Sequence, residues 1–320
     1  MKKFKFVVMT LLTTLMLSSC GTTQQVPLTG RTHRISVSDE QVLSLSNQEY
    51  TKYMASAKKS TNAANTAMVR RVGQKLASAV ETYLKENGFA ADVKNYSWEF
   101  NLVQDQSANA FCMPGGKIVV YEGLLPYTQN ETCLAIVLGH EIAHAVAKHS
   151  AEQLTKQQNQ QIGTNILGNV LNQAVGNGVG NVASAVAGQY FTFRNLKYSR
   201  DNETEADYMG LIFAAMAGYD PQQAIPFWER MAAASGNSNK SDLFSDHPSD
   251  AKRIAALKAA MPTALKYYKP QNGAYSTSGV SSKSSKSSKS SKSSKSSKTS
   301  KTPVRTIKAS SLSGFSSNKK

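Results

Sequence analysis

The sequence predicts a mostly helical α+β domain with one small mixed β-sheet. Three observations carry that expectation. An apolar run from Leu134 to Val146 reads as a buried helix. Val69, Val72, Leu76, Val80 and Tyr83 recur at helical spacing, which predicts another helix from about Ala63 to Lys85, ended by Asn87-Gly88. Between them, Trp98, Phe100 and Leu102 alternate with Glu99 and Asn101, and Lys117-Ile118-Val119-Val120-Tyr121 follows the turn Pro114-Gly115-Gly116, which predicts two strands.

The 320 residues are 40% hydrophobic, enough for one sizeable core. The formal charge of +16 belongs to the ends of the chain. Lys2, Lys3 and Lys5 supply +3, residues 276–320 supply +11 with no acid, and the middle keeps only +2. A near-neutral body without an aromatic–basic module argues against nucleic acid as a partner.

In chain order, residues 1–19 read as a lipoprotein signal peptide. Lysines precede an apolar run from Phe6 to Leu17, too short for a good membrane span, and the run ends Leu17-Ser18-Ser19-Cys20-Gly21. That ending resembles the bacterial lipobox, which implies a lipid on Cys20. Residues 20–60 are polar and read as a lipidated tether leading into short helical pieces, with His33 carrying no signal. Residues 61–270 form the main domain. Within it Asn130 caps the helix of the apolar run, and Ser199 or Asp201 caps a later helix that reaches Ala217 before Gly218. Asp220-Pro221 opens the next helix, and a last one runs to about Ala260. Residues 162–188 are rich in Gly, Asn, Ala and Val and read as a loosely ordered excursion, as a lid over the cleft, or as a surface that touches membrane or a partner. Residues 271–320 hold a tandem Ser-Ser-Lys repeat with almost no apolar side chains. Burial there cannot offset an ordering cost of about 1–2 kcal/mol per residue, so a disordered basic tail is expected. It is either inert or a contact for anionic envelope components. Cys112 and Cys133 either form one disulfide or stay as buried thiols.

The candidate chemistry sits in the apolar run, which reads His140-Glu141-Ile142-Ala143-His144. Residues four apart share a helix face, so both imidazoles can bind one Zn²⁺. Glu141 is one position round and can take a proton from a water activated by the metal. Catalytic zinc usually has three protein ligands. Glu203, in the helical cluster Glu203-x-Glu205-Ala206-Asp207, is the candidate third. Asp207 lies four residues on and suits a hydrogen bond to a ligating histidine. Glu205, about 200° round the helix from Glu203, is expected to face away. His149, about 140° from His144, is expected to be no ligand. His247, before Pro248, has three readings: a donor to the developing oxyanion, a group that blocks the metal, or a surface histidine at a helix start.

These motifs together, with Arg253-Ile254 after His247-Pro248, resemble metallopeptidase family forty-eight. That group of gluzincins includes CAAX prenyl endopeptidases and HtpX-, BepA- and LoiP-like zinc metalloproteases. Ser107-x-Asn109-Ala110-Phe111 and Pro114-Gly115-Gly116 are similar to the family's edge-strand segment, which implies that Asn109, Ala110 and Phe111 bind substrate. The resemblance covers about Ala63 to Met261. It implies one Zn²⁺ held by His140, His144 and Glu203, Glu141 as base, and a role near the metal for His247. The expected function is that of a zinc endopeptidase for protein substrates, misassembled outer-membrane proteins among them. The expected place is the periplasmic side of a bacterial envelope, on the outer rather than the inner membrane, anchored by the lipid on Cys20. The alternative is an envelope-assembly chaperone or adaptor with a latent or self-inhibited zinc site.

Overall fold

The computed structural model describes residues 21–160, 193, 196–237 and 251–270. Cys20, His247, the segment 162–188 and the Ser/Lys tail lie outside the described residues. The architecture is α+β and mostly helical, as the sequence predicts.

The segment expected to be a tether is instead ordered. Strands β1 (Thr22–Gln25) and β2 (Thr32–Ile35) pair antiparallel, with Thr22 opposite Ile35 and Gln25 opposite Thr32. Helix α1 (Asp39–Ser56) follows, held by a capping box between Ser38 and Gln41. Polar composition hid this because most of β1 and α1 faces solvent, while Ile35, Val42 and Tyr50 are buried.

Helix α2 (Ala63–Glu86) matches the predicted helix and is capped by Asn62, whose side chain accepts from the Asn65 amide. The sheet comes next. Strand β5 (Lys117–Tyr121) lies in its centre, parallel to β3 (Glu99–Val103) and antiparallel to β4 (Ala110–Met113). Every residue of β5 is buried because both faces of the sheet are covered. Phe100, Leu102, Ala110, Cys112, Ile118 and Val120 join Val69, Val72, Leu76 and the apolar run in the main core. Phe111, Met113, Val119 and Tyr121 join Ile35, Val42 and Tyr50 of the N-terminal segment in a second core on the opposite face. A strand that fills two cores loses the polar alternation that marks a one-sided sheet. Cys112 and Cys133 are free buried thiols, which excludes the disulfide.

Helix α3 (Glu131–Val146) carries the His-Glu-x-x-His motif and is buried over nearly its whole length. Asn130 caps it as predicted, accepting from the Cys133 amide. After a break at Ala147 and Lys148, helix α4 occupies 149–160. Helix α5 (Arg200–Met216) begins with a capping box between Ser199 and Asn202. Helices α6 (Ala224–Asn237) and α7 (Ala251–Tyr267) complete the described chain. Among the described residues, no helix is long and apolar enough to cross a membrane.

Candidate metal centre

The site forms where α3 crosses α5. The crossing is close because both helices have glycine there. A Cβ on Gly139 would stand 2.6 Å from the Gly210 carbonyl oxygen, and one on Gly210 would stand 2.5 Å from the His140 nitrogen. Only hydrogen fits between the two backbones. This approach brings the α3 histidines within reach of the first turns of α5.

His140, His144 and Glu203 come together with one ligand atom from each within 4.8 Å of the others. The two Nε2 atoms are 3.1 Å apart. His140 Nε2 lies 3.5 Å from Glu203 Oε2, and His144 Nε2 lies 3.4 Å from Glu203 Oε1. Ligands about 2.0–2.1 Å from a tetrahedral zinc stand roughly 3.3–3.4 Å from one another, so the donor set fits that ion in both type and spacing. Glu141 is buried beside them. Its charge reaches Cys112 on the edge strand β4, whose thiol is pushed well up by burial and further by Glu141.

Each histidine is oriented from behind. His140 Nδ1 donates to Asp207 Oδ1 at 2.9 Å, the arrangement expected for Asp207. Arg253 of α7 donates to the same oxygen at 2.5 Å, and its guanidinium stacks 3.5 Å over the Trp228 ring of α6. Burial and Arg253 press the His140 imidazole toward neutrality, but Asp207 and Glu203 outweigh them and raise its pKa to about 9 in the metal-free protein.

His144 has a different support. Its Nδ1 lies 2.9 Å from Nδ1 of His149, and His149 Nε2 lies 2.9 Å from Glu205 Oε2. Burial holds His149 below the usual imidazole pKa despite Glu205. The Tyr198 ring stacks on His144 at 4.1 Å. Burial keeps its phenol protonated, and its oxygen hydrogen-bonds Ser150 at 2.9 Å. Glu205 does point away from Glu203, as expected, but it is buried rather than on a surface. It accepts from Thr29 Oγ1 at 2.6 Å and from Arg31 Nε at 2.8 Å, both in the β1–β2 turn. Burial would raise the Glu205 pKa, but His149, Arg31 and Thr29 hold it at about 2. His33 is buried too, with Nδ1 3.1 Å from Glu152.

The sequence reading missed His149, Glu205, Thr29, Arg31 and His33. His149 stands 140° from His144 only on an unbroken helix. Lys148 takes a positive φ of 53°, the helix restarts, and His149 returns to the His144 side. Nothing in the sequence marks that break. The expected substrate residues Asn109, Ala110 and Phe111 lie at the start of β4, an edge strand. The amide of Tyr121 donates to the Asn109 carbonyl, so the backbone groups of Ala110 and Cys112 point away from β5; the Ala110 amide donates to Asn109 Oδ1 at 2.8 Å, and every residue of β4 is buried.

The family model described as "Peptidase family M48" matches residues 47–261. Mitochondrial metalloendopeptidase OMA1 of Schizosaccharomyces pombe is 38% identical over 191 residues, covering 58% of this chain and 53% of that one. The human mitochondrial metalloendopeptidase OMA1 is 29% identical over 246 residues, covering 75% and 46%. The beta-barrel assembly-enhancing protease of Escherichia coli is 25% identical over 161 residues, covering 49% and 33%. The chain thus spans about half or less of the length of these relatives. The mitochondrial names overturn the expected location on a bacterial outer membrane. A signal read from twenty N-terminal residues yields to similarity carried by the folded domain.

Proposed function

This chain belongs to peptidase family M48, and from that premise we propose that it is a zinc-dependent endopeptidase acting on extended segments of protein substrates. The observation that carries the reading is the spacing of 3.1, 3.4 and 3.5 Å among the ligand atoms of His140, His144 and Glu203. Those three would hold the ion. When bound, zinc supplies a Lewis acid that eases deprotonation of water and polarises a peptide carbonyl. Glu141 accepts the proton of the attacking water and returns it to the departing amine. Asp207 keeps the His140 proton on Nδ1, which leaves Nε2 as the donor to the metal. An extended peptide pairs with the side of β4 that faces away from β5, at the Ala110 carbonyl and at Cys112, which sets its backbone near Glu141. His247 is assigned on sequence alone, as a hydrogen-bond donor to the oxyanion. The name of the Escherichia coli relative, a beta-barrel assembly-enhancing protease, suggests proteins undergoing beta-barrel assembly as the substrate class.

The test is metal content and peptide cleavage in the wild type and in Glu141→Gln. We expect one zinc per chain in both. Chelator-sensitive cleavage of an unfolded protein is expected in the wild type alone, with a loss of at least about 10²-fold in the variant. Zinc without cleavage in the wild type would favour the alternative of an assembly factor with a latent site. Full activity in Glu141→Gln would remove the proposed base.

A further inference from the structure

We propose that the β1–β2 hairpin is a working part of the metal centre, with Thr29 and Arg31 setting the position of His144 through Glu205 and His149. The proposal rests on the zinc reading above and adds to it the residues that hold one ligand in place.

A His144 that gives Nε2 to a metal carries its proton on Nδ1. The partner of Nδ1 is His149 Nδ1 at 2.9 Å, which must then accept. His149 therefore carries its own proton on Nε2, 2.9 Å from Glu205 Oε2. Only one arrangement satisfies both contacts, and it ends on a carboxylate 8% exposed. A buried carboxylate is held in one place when its oxygens are well supplied with donors. The hairpin supplies them: Thr29 Oγ1 to Oε1 at 2.6 Å and Arg31 Nε to Oε2 at 2.8 Å. Thr29 and Arg31 are 176 and 174 residues away from Glu205 in the chain, so the turn reaches the site only by docking. Partners behind ligating histidines typically contribute 10–100-fold to metal affinity. The two histidines thus have unlike supports, Asp207 on α5 for His140 and the N-terminal hairpin for His144.

A second arm of the same docking shares Arg31 with the first. Glu152 of α4 accepts from Arg31 Nη2 at 2.9 Å, and it also takes His33 at 3.1 Å, Asn202 at 3.3 Å and Lys156 at 2.8 Å. A contact outside both arms, the Ser36 amide donating to Thr155 Oγ1 of α4 at 3.0 Å, gives a control for docking alone.

The experiment measures zinc affinity of the full chain by competition with a chromophoric chelator, together with the visible spectrum of the cobalt-loaded protein. Thr29→Val, Arg31→Ala and His149→Phe are each expected to weaken zinc 10–100-fold and to alter the cobalt bands. Arg31→Ala added to His149→Phe is expected to cost nothing beyond His149→Phe, because both act along one path. Thr155→Val is expected to lower the melting temperature and leave zinc affinity within about twofold. Folded variants that bind zinc like the wild type would overturn the proposal, as would additive losses in the double variant. So would a loss in Thr155→Val as large as that in Arg31→Ala. Should Arg31→Ala or His149→Phe not fold, the near-isosteric Thr29→Val decides. A wild type that binds no zinc refutes the metal reading itself, an outcome separate from wild-type binding with unaffected variants.

Discussion

Glu203 and Glu205 sit two positions apart on α5 and serve opposite sides of it. Glu203 joins the two histidines, with its oxygens 3.4 and 3.5 Å from their Nε2 atoms. Glu205 lies behind His149 and never meets the metal donors directly. Replacing Glu203 by Ala removes one of three ligands, so zinc should be lost on dialysis against a buffer that leaves the wild type loaded. Metal analysis of the dialysed protein checks this, and full retention would reassign the third ligand. The motif residues were legible in the sequence because helical geometry alone puts His140 and His144 on one face. Glu203 was legible because a carboxylate cluster at helical spacing stood out. Thr29 and Arg31 were not, since their meaning lies in a partner more than 170 residues away.

At the scale of elements, the crossing of α3 and α5 decides whether a site exists. Two helices with ordinary side chains at the contact lie 8–10 Å apart. Gly139 and Gly210 let these backbones touch. Gly210→Ala would put a methyl group 2.5 Å from the His140 nitrogen and 2.7 Å from the Gly139 carbonyl carbon, both backbone atoms with nowhere to move. The helices must part. We expect a stability loss of about 1–3 kcal/mol in urea melts, together with weaker zinc binding. An unchanged chelator titration would show that the donors tolerate the separation. Two helix starts were marked beforehand: Asn130 caps as expected, and of Ser199 and Asp201 it is Ser199 that caps, while the Asn62 cap was not singled out. The restart at Lys148 was not, because lysine carries no preference for positive φ.

Across the whole molecule, the N-terminal segment is bound by buried ionic contacts, and these make stability sensitive to acid. Burial alone would raise the pKa of Glu152. Its bonds to His33, Arg31 and Lys156 outweigh that and hold it far below the ordinary carboxylate range. A carboxylate with a depressed folded-state pKa adds stability that is complete above its unfolded value of about 4.3 and is lost as pH falls below it. Melting temperature should therefore drop as pH is lowered from about 5, and Glu152→Gln should flatten that limb while lowering stability at pH 7. An equally steep limb in the variant would show that other carboxylates drive the acid transition.

The sequence by itself determined the helix-rich class, two strands of the three-stranded sheet, two of the helix caps and the paired histidines with their acidic neighbours. All of these follow from local rules, since a period of 3.6 or 2 and a capping side chain act within a few residues. Only the tertiary structure decided that the polar N-terminal segment is a docked hairpin and helix, that both faces of the sheet are covered, and that His149 and Glu205 stand behind His144. Those facts depend on which surfaces meet, and a glycine contact or a buried ion pair between distant residues leaves no periodic trace in the chain.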